Sequence, residues 1–316
     1  MHRHSLQAPG AVVMIRPHHF VPNAQTSGDN GFQARGTALS PDEIANRAHD
    51  EVTAATEALR ATGVTVHLFE DEARETPDSV FPNNWFSTHP GGQVAVFPMS
   101  SQNRRRERRP DVLDMLKARY RVQDIIDYSG LEYDGLFLEG TGAMVLDHVE
   151  RVAYAARSRR TSEILLERFC AHFNYEPVVF DALDAAGVPV YHTNVLMCIA
   201  THFALLGAEM IPDAARRDAI CARLESGGRD LIRLTRDQIG AFAGNAIELM
   251  AADGPVLALS ARAAQALTAD QRARIECHTA LLPFAVPTIE LAGGSVRCMI
   301  AGIHLSARAA VRSETW

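Results

Sequence analysis

The chain has 316 residues, of which 47% are hydrophobic, which excludes a disordered protein and suits one large domain or two modest ones. No linker divides it, so we expect a single catalytic domain over residues 1–316. The formal net charge of −7 disfavours nucleic acid as the main partner, and no apolar run is long enough to span a membrane.

Lysine and cysteine usage exclude further classes of protein. Lys117 is the only lysine, which excludes a Walker-type phosphate loop and disfavours a Schiff-base mechanism, and no G-x-G-x-x-G follows a strand. We therefore expect no cofactor. The five cysteines form no C-x-x-C pair, so we expect no disulfide framework and no metal site. The chain begins without a signal-peptide pattern, which predicts a cytoplasmic protein.

Helices are predicted from apolar spacing and from residues typical of helix ends. Ser40, Pro41 and Glu43 combine a capping box with a proline at the first helical position, and Gly63 is typical of a helix end. A helix is therefore expected from Pro41 to about residue 62. Further helices are predicted after Pro110, after Thr161 and over 268–276.

Short β-like runs lie between these helices, and we predict strands over 12–15, 64–69, 93–97, 143–146, 152–155, 178–180, 195–199, 246–250 and 256–259. Strands that alternate with helices are typical of an α/β protein.

Compact polar segments precede several strands at intervals of roughly 50 residues, the range of structural repeats. We call them the tip segments: Phe81-Pro82-Asn83-Asn84, Glu139-Gly140-Thr141-Gly142, His192-Thr193-Asn194, Gly244-Asn245 and Arg297-Cys298. Five such units favour a closed, propeller-like arrangement whose tips converge on one site. A doubly wound sheet would show a similar alternation, so the period favours closure only slightly.

Three residues of the tip segments have the side chains that cysteine catalysis requires. Cys298 is the candidate nucleophile, since a glycine-containing run precedes it and the neighbouring Arg297 favours a thiolate. His192 is the candidate acid and base, and Glu139 the carboxylate that orients it. Each has an ordinary structural interpretation as a core or turn residue. Their joint occurrence at the tips favours catalysis.

Several motifs, in order along nearly the whole chain, resemble the guanidino-group modifying enzymes: Phe81-Pro82-Asn83-Asn84-Trp85, Leu138-Glu139-Gly140-Thr141-Gly142, Ser158-Arg159-Arg160-Thr161, His192-Thr193-Asn194 and Gly293-Gly294-Ser295-Val296-Arg297-Cys298-Met299. These enzymes include arginine deiminases, arginine dihydrolases, dimethylarginine dimethylaminohydrolases and amidinotransferases. The chain looks most like the amidinotransferase-related citrulline-utilisation hydrolases of bacteria. The resemblance implies the pentein fold, a five-bladed α/β propeller of ββαβ units.

The resemblance also implies roles for individual residues. Cys298 matches the family nucleophile, His192 the acid and base, and Glu139 the carboxylate that engages substrate nitrogen. Arg160 matches an arginine that clamps the α-carboxylate of an amino acid, a contact suited to a bidentate guanidinium.

Three weaker assignments complete the predicted site. Arg104 lies near a second family arginine, although its place in the run Arg104-Arg105-Arg106-Glu107-Arg108-Arg109 is at least as consistent with a solvated loop. Asn30 and Asn23 lie where such enzymes supply further asparagine contacts, with Asn30 slightly favoured and turn formation the alternative for either. Asn245 is interpreted as a turn residue, with a role in shaping the pocket as the alternative, and the four other cysteines as packing residues.

Asn84 and Asn194 stand where deiminases usually have aspartates. An amide keeps the shape of a carboxylate and removes its charge, so the site has less reason to bury a cation. We therefore expect citrulline, hydrolysed to ornithine, carbon dioxide and ammonia, as the small-molecule substrate. Arginine deiminase, arginine dihydrolase and dimethylarginine hydrolase activities are alternatives. A non-catalytic binding protein of the same fold is an alternative of another class, and the sequence leaves a homo-oligomer open.

Overall fold

The computed structural model describes residues 6–309, so the start of the chain, where no leader pattern was found, lies outside it. The strands of the described residues are β1 Ala11–Pro17, β2 Thr65–Asp71, β3 Phe86–His89, β4 Gln93–Val96, β5 Asp124–Asp127, β6 Met144–Asp147, β7 Val152–Ala156, β8 Glu176–Phe180, β9 Met197–Ile199, β10 Phe203–Leu206, β11 Asp230–Arg233, β12 Ile247–Met250, β13 Pro255–Ser260, β14 Ala280–Phe284 and β15 Ala301–Gly302. The helices are α1 Pro41–Ala61, α2 Pro110–Arg119, α3 Gly140–Ala143, α4 Glu163–Phe173, α5 Ala214–Ser226, α6 Arg236–Gly240, α7 Ala261–Ala266, α8 Ala269–Glu276 and α9 Val296–Met299.

The described strands form five three-stranded sheets with one shared connectivity. In the sheet of β3, β4 and β5, the first two strands are antiparallel, and β4 is parallel to β5 after a crossover that contains α2. The sheets β6-β7-β8, β9-β10-β11 and β12-β13-β14 repeat this order. In the fifth sheet, β15 from the end of the chain is antiparallel to β1, which is parallel to β2. The chain is therefore an α/β protein of five ββαβ units.

Helix α1 shows how the local sequence sets an element. The Ser40 hydroxyl accepts a hydrogen bond from the Glu43 amide while the Glu43 carboxylate accepts one from the Ser40 amide, which confirms the predicted capping box. Ile44, Val52 and Leu59 form its buried face against β1 and β2. Gly63 follows the helix with a positive φ of 87°, as its helix-ending role requires.

The predicted elements are present with ends that differ by one or a few residues, and several others escaped prediction. Strand β10 lies in the continuous apolar sequence 203–206, which has no period-2 alternation because both of its faces are buried. Helix α5 carries many charged residues and buries only Ile220, Cys221 and Leu224, so its apolar stripe is narrow. Such short or weakly patterned segments give little signal at the level of sequence.

Each tip segment lies immediately before the first strand of a sheet, and four of the five form a short helical turn. The turns are Pro82–Asn84 before β3, α3 before β6, Thr193–Val195 before β9, and α9 before β15, while Gly244 and Asn245 precede β12. Because the five sheets share one connectivity, the tips are equivalent positions in the repeat. The turns also contact one another, as between α3 and Pro82–Asn84.

The solvated-loop interpretation of the arginine run is wrong for Arg104. Residues Asn103–Glu107 form a 3-10 helix, and the side chains of Arg104 and Glu107 are only 2% and 0% exposed. Their mutual ion pair makes burial of both charges possible.

Among the cysteines treated as packing residues, Cys277 is instead exposed. No helix within residues 6–309 has the length and apolar character to cross a bilayer.

Candidate active site

Three of the five tip segments, through Phe81 and Asn84, His192 and Cys298, line one cavity, which we call the catalytic cavity. Six of the predicted site residues line it: Asn30, Asn84, Arg104, Arg160, His192 and Cys298. The candidate nucleophile and the candidate acid and base, which lie far apart in sequence, therefore face the same space.

Two neutral amides from different tip segments reach the sulfur of Cys298. The Nδ2 atoms of Asn194 and Asn245 each donate a hydrogen bond to Cys298 Sγ over 3.3 Å. Asn245 also donates to the Asn194 carbonyl oxygen and accepts from the Arg297 amide, so three partners in two elements fix its side chain. These two contacts fix the position of the sulfur between two tip segments.

His192 and Glu139 form a buried hydrogen-bonded pair. His192 Nε2 lies 2.8 Å from Glu139 Oε2, and the Ser100 amide donates to the other carboxylate oxygen. The guanidinium groups of Arg160 and Arg104 lie 3.5 and 3.6 Å from Glu139 Oε2. Although burial disfavours the carboxylate, Arg160, His192 and Arg104 together hold the pKa of Glu139 well below its usual value. Glu139 is therefore ionised.

An ionised Glu139 fixes the tautomer of His192. A carboxylate only accepts hydrogen bonds, so Nε2 of the imidazole carries the proton and Nδ1 is left as a base. Burial lowers the pKa of His192 to about 4, against the opposing effect of Glu139. A Cβ at Gly142 would lie 2.8 Å from Nδ1, so glycine is needed where the ring passes. The imidazole is thus neutral at neutral pH and able to accept a proton.

The two buried arginines are held by different partners. Arg160 forms an ion pair with Asp29, and its guanidinium stacks on the Tyr191 ring 4.8 Å from the ring centroid. Arg104 forms a bidentate pair with Glu107 and donates to Asn84 Oδ1 over 2.9 Å. The partner of Arg160 is therefore partly exposed, while Arg104 lies in a buried network.

The weaker asparagine assignments separate in the structure. Asn30 lines the catalytic cavity, but its side chain bonds the Ala292 carbonyl and the Phe32 amide, which anchors the loop over the site. Asn23 lies outside the lining, where it donates to Asp78 and Asn103. The substrate contact expected of Asn23 stays a prediction.

Sequence reasoning missed three residues of the site. Asp78 lines the cavity 3.6 Å from the Arg104 guanidinium, and burial raises its pKa against the effect of that cation. Tyr191 also lines it and donates from its hydroxyl to the Gly293 carbonyl over 2.5 Å. Asn245, interpreted as a turn residue, bonds the sulfur. Only Asn245 gave a signal, through its position in a tip segment.

One group of side chains within the described residues has the composition of a metal site. Ligand atoms of His18, His49 and Glu70 lie within 4.8 Å of one another, on the partly exposed surface. The Arg16 guanidinium already bonds both Glu70 oxygens, so this carboxylate is neutralised by a cation. None of the three lines the catalytic cavity.

Comparisons with known proteins agree with this geometry. A family model described as N,N dimethylarginine dimethylhydrolase, eukaryotic, matches residues 16–305. No curated protein matches the sequence. Among solved structures, the substrate-bound N-terminal domain of ArgZ, an arginine dihydrolase from the ornithine-ammonia cycle in Cyanobacteria, superposes with a TM-score of 0.68 and 17% identity, covering 93% of this chain and 97% of that domain.

Two further solved structures are similar to the chain. The apo structure of ArgZ gives a TM-score of 0.69 at 16% identity, covering 92% of this chain and 40% of the ArgZ chain, so the present chain spans about two fifths of the length of that chain. A dimethylarginine dimethylaminohydrolase adduct with S-methyl-L-thiocitrulline gives 0.61 at 12% identity, covering 93% and 99%. At such identities these superpositions establish the fold, and they confirm the predicted α/β pentein class. The closed propeller stays a prediction.

Proposed function

Because the chain belongs to the dimethylarginine dimethylhydrolase family, and is thus a hydrolase of guanidino C–N bonds, we propose that it is a cysteine-dependent arginine dihydrolase. It converts arginine and two waters into ornithine, carbon dioxide and two molecules of ammonia. The observation that carries the proposal is that Cys298, whose sulfur accepts from two amides, lines the same cavity as His192, which Glu139 holds by a hydrogen bond.

In the first half-reaction, the Cys298 sulfur attacks the guanidino carbon and forms a tetrahedral adduct. Nδ1 of His192, which takes the thiol proton of Cys298 as the sulfur attacks, passes that proton to a terminal nitrogen, which leaves as ammonia, so that the remaining carbon is bound covalently to sulfur. His192 then takes a proton from water, and the hydroxide attacks the same carbon. The C–S bond breaks, citrulline forms and the thiolate is restored.

The second half-reaction acts on the neutral ureido group of citrulline. The thiolate attacks the ureido carbon, ammonia leaves, and water releases the thiocarbamate as ornithine and carbon dioxide. Asn84 and Asn194 are neutral at the positions where a carboxylate would favour a cation, so neither side chain favours a cationic guanidinium over a neutral ureido group.

Arg160 is the proposed clamp for the α-carboxylate. It lines the cavity and is held by the partly exposed Asp29, which a substrate carboxylate can replace. Arg104 supports the site indirectly, since Glu107 and Asn84 occupy its donors.

Arginine replaces citrulline as the favoured first substrate. The motifs alone favoured citrulline, whereas structures named as an arginine dihydrolase superpose over more than nine tenths of the chain. The intact Cys298–His192–Glu139 geometry also supports an enzyme over a non-catalytic binding protein.

The experiment is to incubate the purified protein separately with arginine, citrulline and N,N-dimethylarginine and to quantify ornithine, citrulline and ammonia. The proposal expects ornithine from arginine, with ammonia and ornithine in a ratio of two to one. Arginine turnover that stops at citrulline would indicate a deiminase. Hydrolysis of N,N-dimethylarginine alone would support the second candidate function, dimethylarginine hydrolase activity, which the family match favours.

A further inference from the structure

Tyr191 is a buried residue at which three segments of the candidate site meet. It directly precedes His192, its ring lies against the guanidinium of Arg160, and its hydroxyl reaches the turn at Gly293. It also lines the catalytic cavity. Tyr191 has no part in the bond-making steps proposed above, although residues that it contacts carry them out.

Tyr191 holds Arg160 through both its ring and its main chain. The guanidinium carbon lies 4.8 Å from the ring centroid, and this cation–π contact is strong because the Arg160 side chain is only 3% exposed. The Ser158 hydroxyl donates to the Tyr191 carbonyl over 2.8 Å and accepts from the Arg160 amide over 3.1 Å. Two kinds of contact from Tyr191 therefore set the position of Arg160.

The hydroxyl of Tyr191 fixes the turn that precedes the nucleophile. It donates over 2.5 Å to the carbonyl of Gly293, a buried residue with a positive φ of 81°. A Cβ at Gly293 would lie 2.5 Å from Asn30 Oδ1, so this turn packs closely against the loop that covers the site. Cys298 lies in α9, shortly after the turn. A change at Gly293 therefore acts on the segment that carries the sulfur.

Tyr191 is a hydrogen-bond donor in this site and is unsuited to proton transfer. Burial, together with the nearby Cys298, raises the pKa of Tyr191 well above its ordinary value, against the opposing effect of Arg160. The hydroxyl therefore keeps its proton at neutral pH and can donate to the Gly293 carbonyl throughout turnover.

We propose that Tyr191 is a positioning residue with two separable functions: its ring holds Arg160, and its hydroxyl holds the turn before Cys298. The inference rests on the proposed function, in which Arg160 clamps the α-carboxylate and Cys298 attacks the guanidino carbon. A substrate held at one end by Arg160 reacts only if the sulfur is correctly placed at the other end. The ring thus contributes to substrate binding, and the hydroxyl to the chemical step.

Two substitutions separate the ring from the hydroxyl, with steady-state release of ornithine and citrulline from arginine as the measurement. Tyr191→Phe keeps the ring, so kcat should fall about tenfold while KM changes by less than about twofold. Tyr191→Leu lacks both groups. Its kcat should equal that of Tyr191→Phe, and its KM should be about tenfold higher, because Arg160 has lost the ring.

Tyr175→Phe is the matched control. Tyr175 is also buried, its hydroxyl lies 2.8 Å from His148 Nδ1, and the guanidinium of Arg151 lies 3.9 Å from its ring centroid. None of these three residues lines the catalytic cavity. Loss of this hydroxyl should lower the melting temperature and leave both kcat and KM unchanged.

Alkylation of Cys298 by iodoacetamide is a second measurement, which needs no turnover. Cys298 is 2% exposed, so the reagent reaches the sulfur only when the structure around it opens locally. Loss of the hydrogen bond to Gly293 should favour this opening, and Tyr191→Phe should be labelled about fivefold faster than the unchanged protein. Tyr175→Phe should be labelled at the rate of the unchanged protein.

The inference is overturned if Tyr191→Phe retains both the kcat and the labelling rate of the unchanged protein. It is also overturned if Tyr191→Phe and Tyr191→Leu have the same KM, or if Tyr175→Phe loses as much kcat as Tyr191→Phe. If the unchanged protein does not hydrolyse arginine, the proposed function fails, whereas the labelling rates still decide the role of the hydroxyl.

Discussion

The two sides of the catalytic cavity are built from different kinds of group. On the imidazole side, His192 lies in a network of full charges, where Glu139 is neutralised by Arg160 and Arg104. On the sulfur side, the neutral amides of Asn194 and Asn245 donate to Cys298. The charge of Glu139 fixes the position of the proton on the His192 imidazole, whereas uncharged amide donors hold the Cys298 sulfur. Such a sulfur can approach both a cationic guanidinium and a neutral ureido carbon.

Removal of the sulfur should have the largest effect. Cys298→Ala is expected to lower kcat by about 10⁴-fold or more, since no other group on that side is a nucleophile. Steady-state ornithine release measures the loss. Cys277→Ala is the control, because Cys277 is exposed and should change kcat little. Retention of activity by Cys298→Ala would refute the assignment of the nucleophile.

Removal of the charge of Glu139 should have the second-largest effect on kcat. Glu139→Gln keeps the shape of the side chain but removes the charge that fixes the imidazole tautomer, so kcat should fall by about 10²- to 10⁴-fold. The control is Glu132→Gln, because Glu132 is a buried carboxylate paired with Arg108 outside the catalytic cavity. It should lower stability and leave kcat per folded molecule nearly unchanged. Equal loss of kcat in both variants would contradict the role of Glu139.

The sulfur side can be probed without substrate. Asn245→Ala removes one of two donors to Sγ and should slow alkylation of Cys298 by iodoacetamide about tenfold. Peptide mass spectrometry gives the rate, with the exposed Cys277 of the same molecule as the internal standard. An unchanged ratio of the two labelling rates would mean that Asn245 does not support the thiolate.

The charged side should also govern part of the acid sensitivity. His192 has a folded pKa of about 4 against an ordinary value of 6.5, so the unfolded state binds more protons between these values. Its contribution to stability is therefore present above pH 6.5 and lost as the pH falls towards 4. Glu139, whose pKa is lowered, loses its contribution below its ordinary range.

Thermal unfolding from pH 7 to pH 4 checks this. The melting temperature should fall over this range, and it should fall less in His192→Asn, which has no imidazole to protonate. If the melting temperature falls equally with pH in the unchanged protein and in His192→Asn, protonation of His192 does not contribute to the acid sensitivity.

Much of the candidate site could be predicted from the sequence, for physical reasons. The tip segments carry polar residues and glycines directly before apolar strands, and this pattern located Cys298, His192 and Glu139. Arg104 was misjudged because its neighbours in the run are charged, and only the fold brings Glu107 and Asn84 around it.

Contacts between distant segments escaped prediction. Nothing local in the sequence distinguishes Asp78 or Tyr191 from other polar residues before a strand or tip. The hydrogen bond from Asn245 to Cys298 joins residues 53 positions apart, and it depends on the equivalent placement of two tips in the repeat. Pairings of this kind follow from tertiary structure.

The central claim is that Cys298 forms a covalent bond to the substrate carbon in the cavity it shares with His192. Rapid acid quenching of the protein with arginine, followed by peptide mass spectrometry, tests it most directly. The Cys298 peptide should carry the mass of arginine less ammonia during turnover. Turnover with this peptide unmodified, or an adduct on another cysteine, would contradict the account.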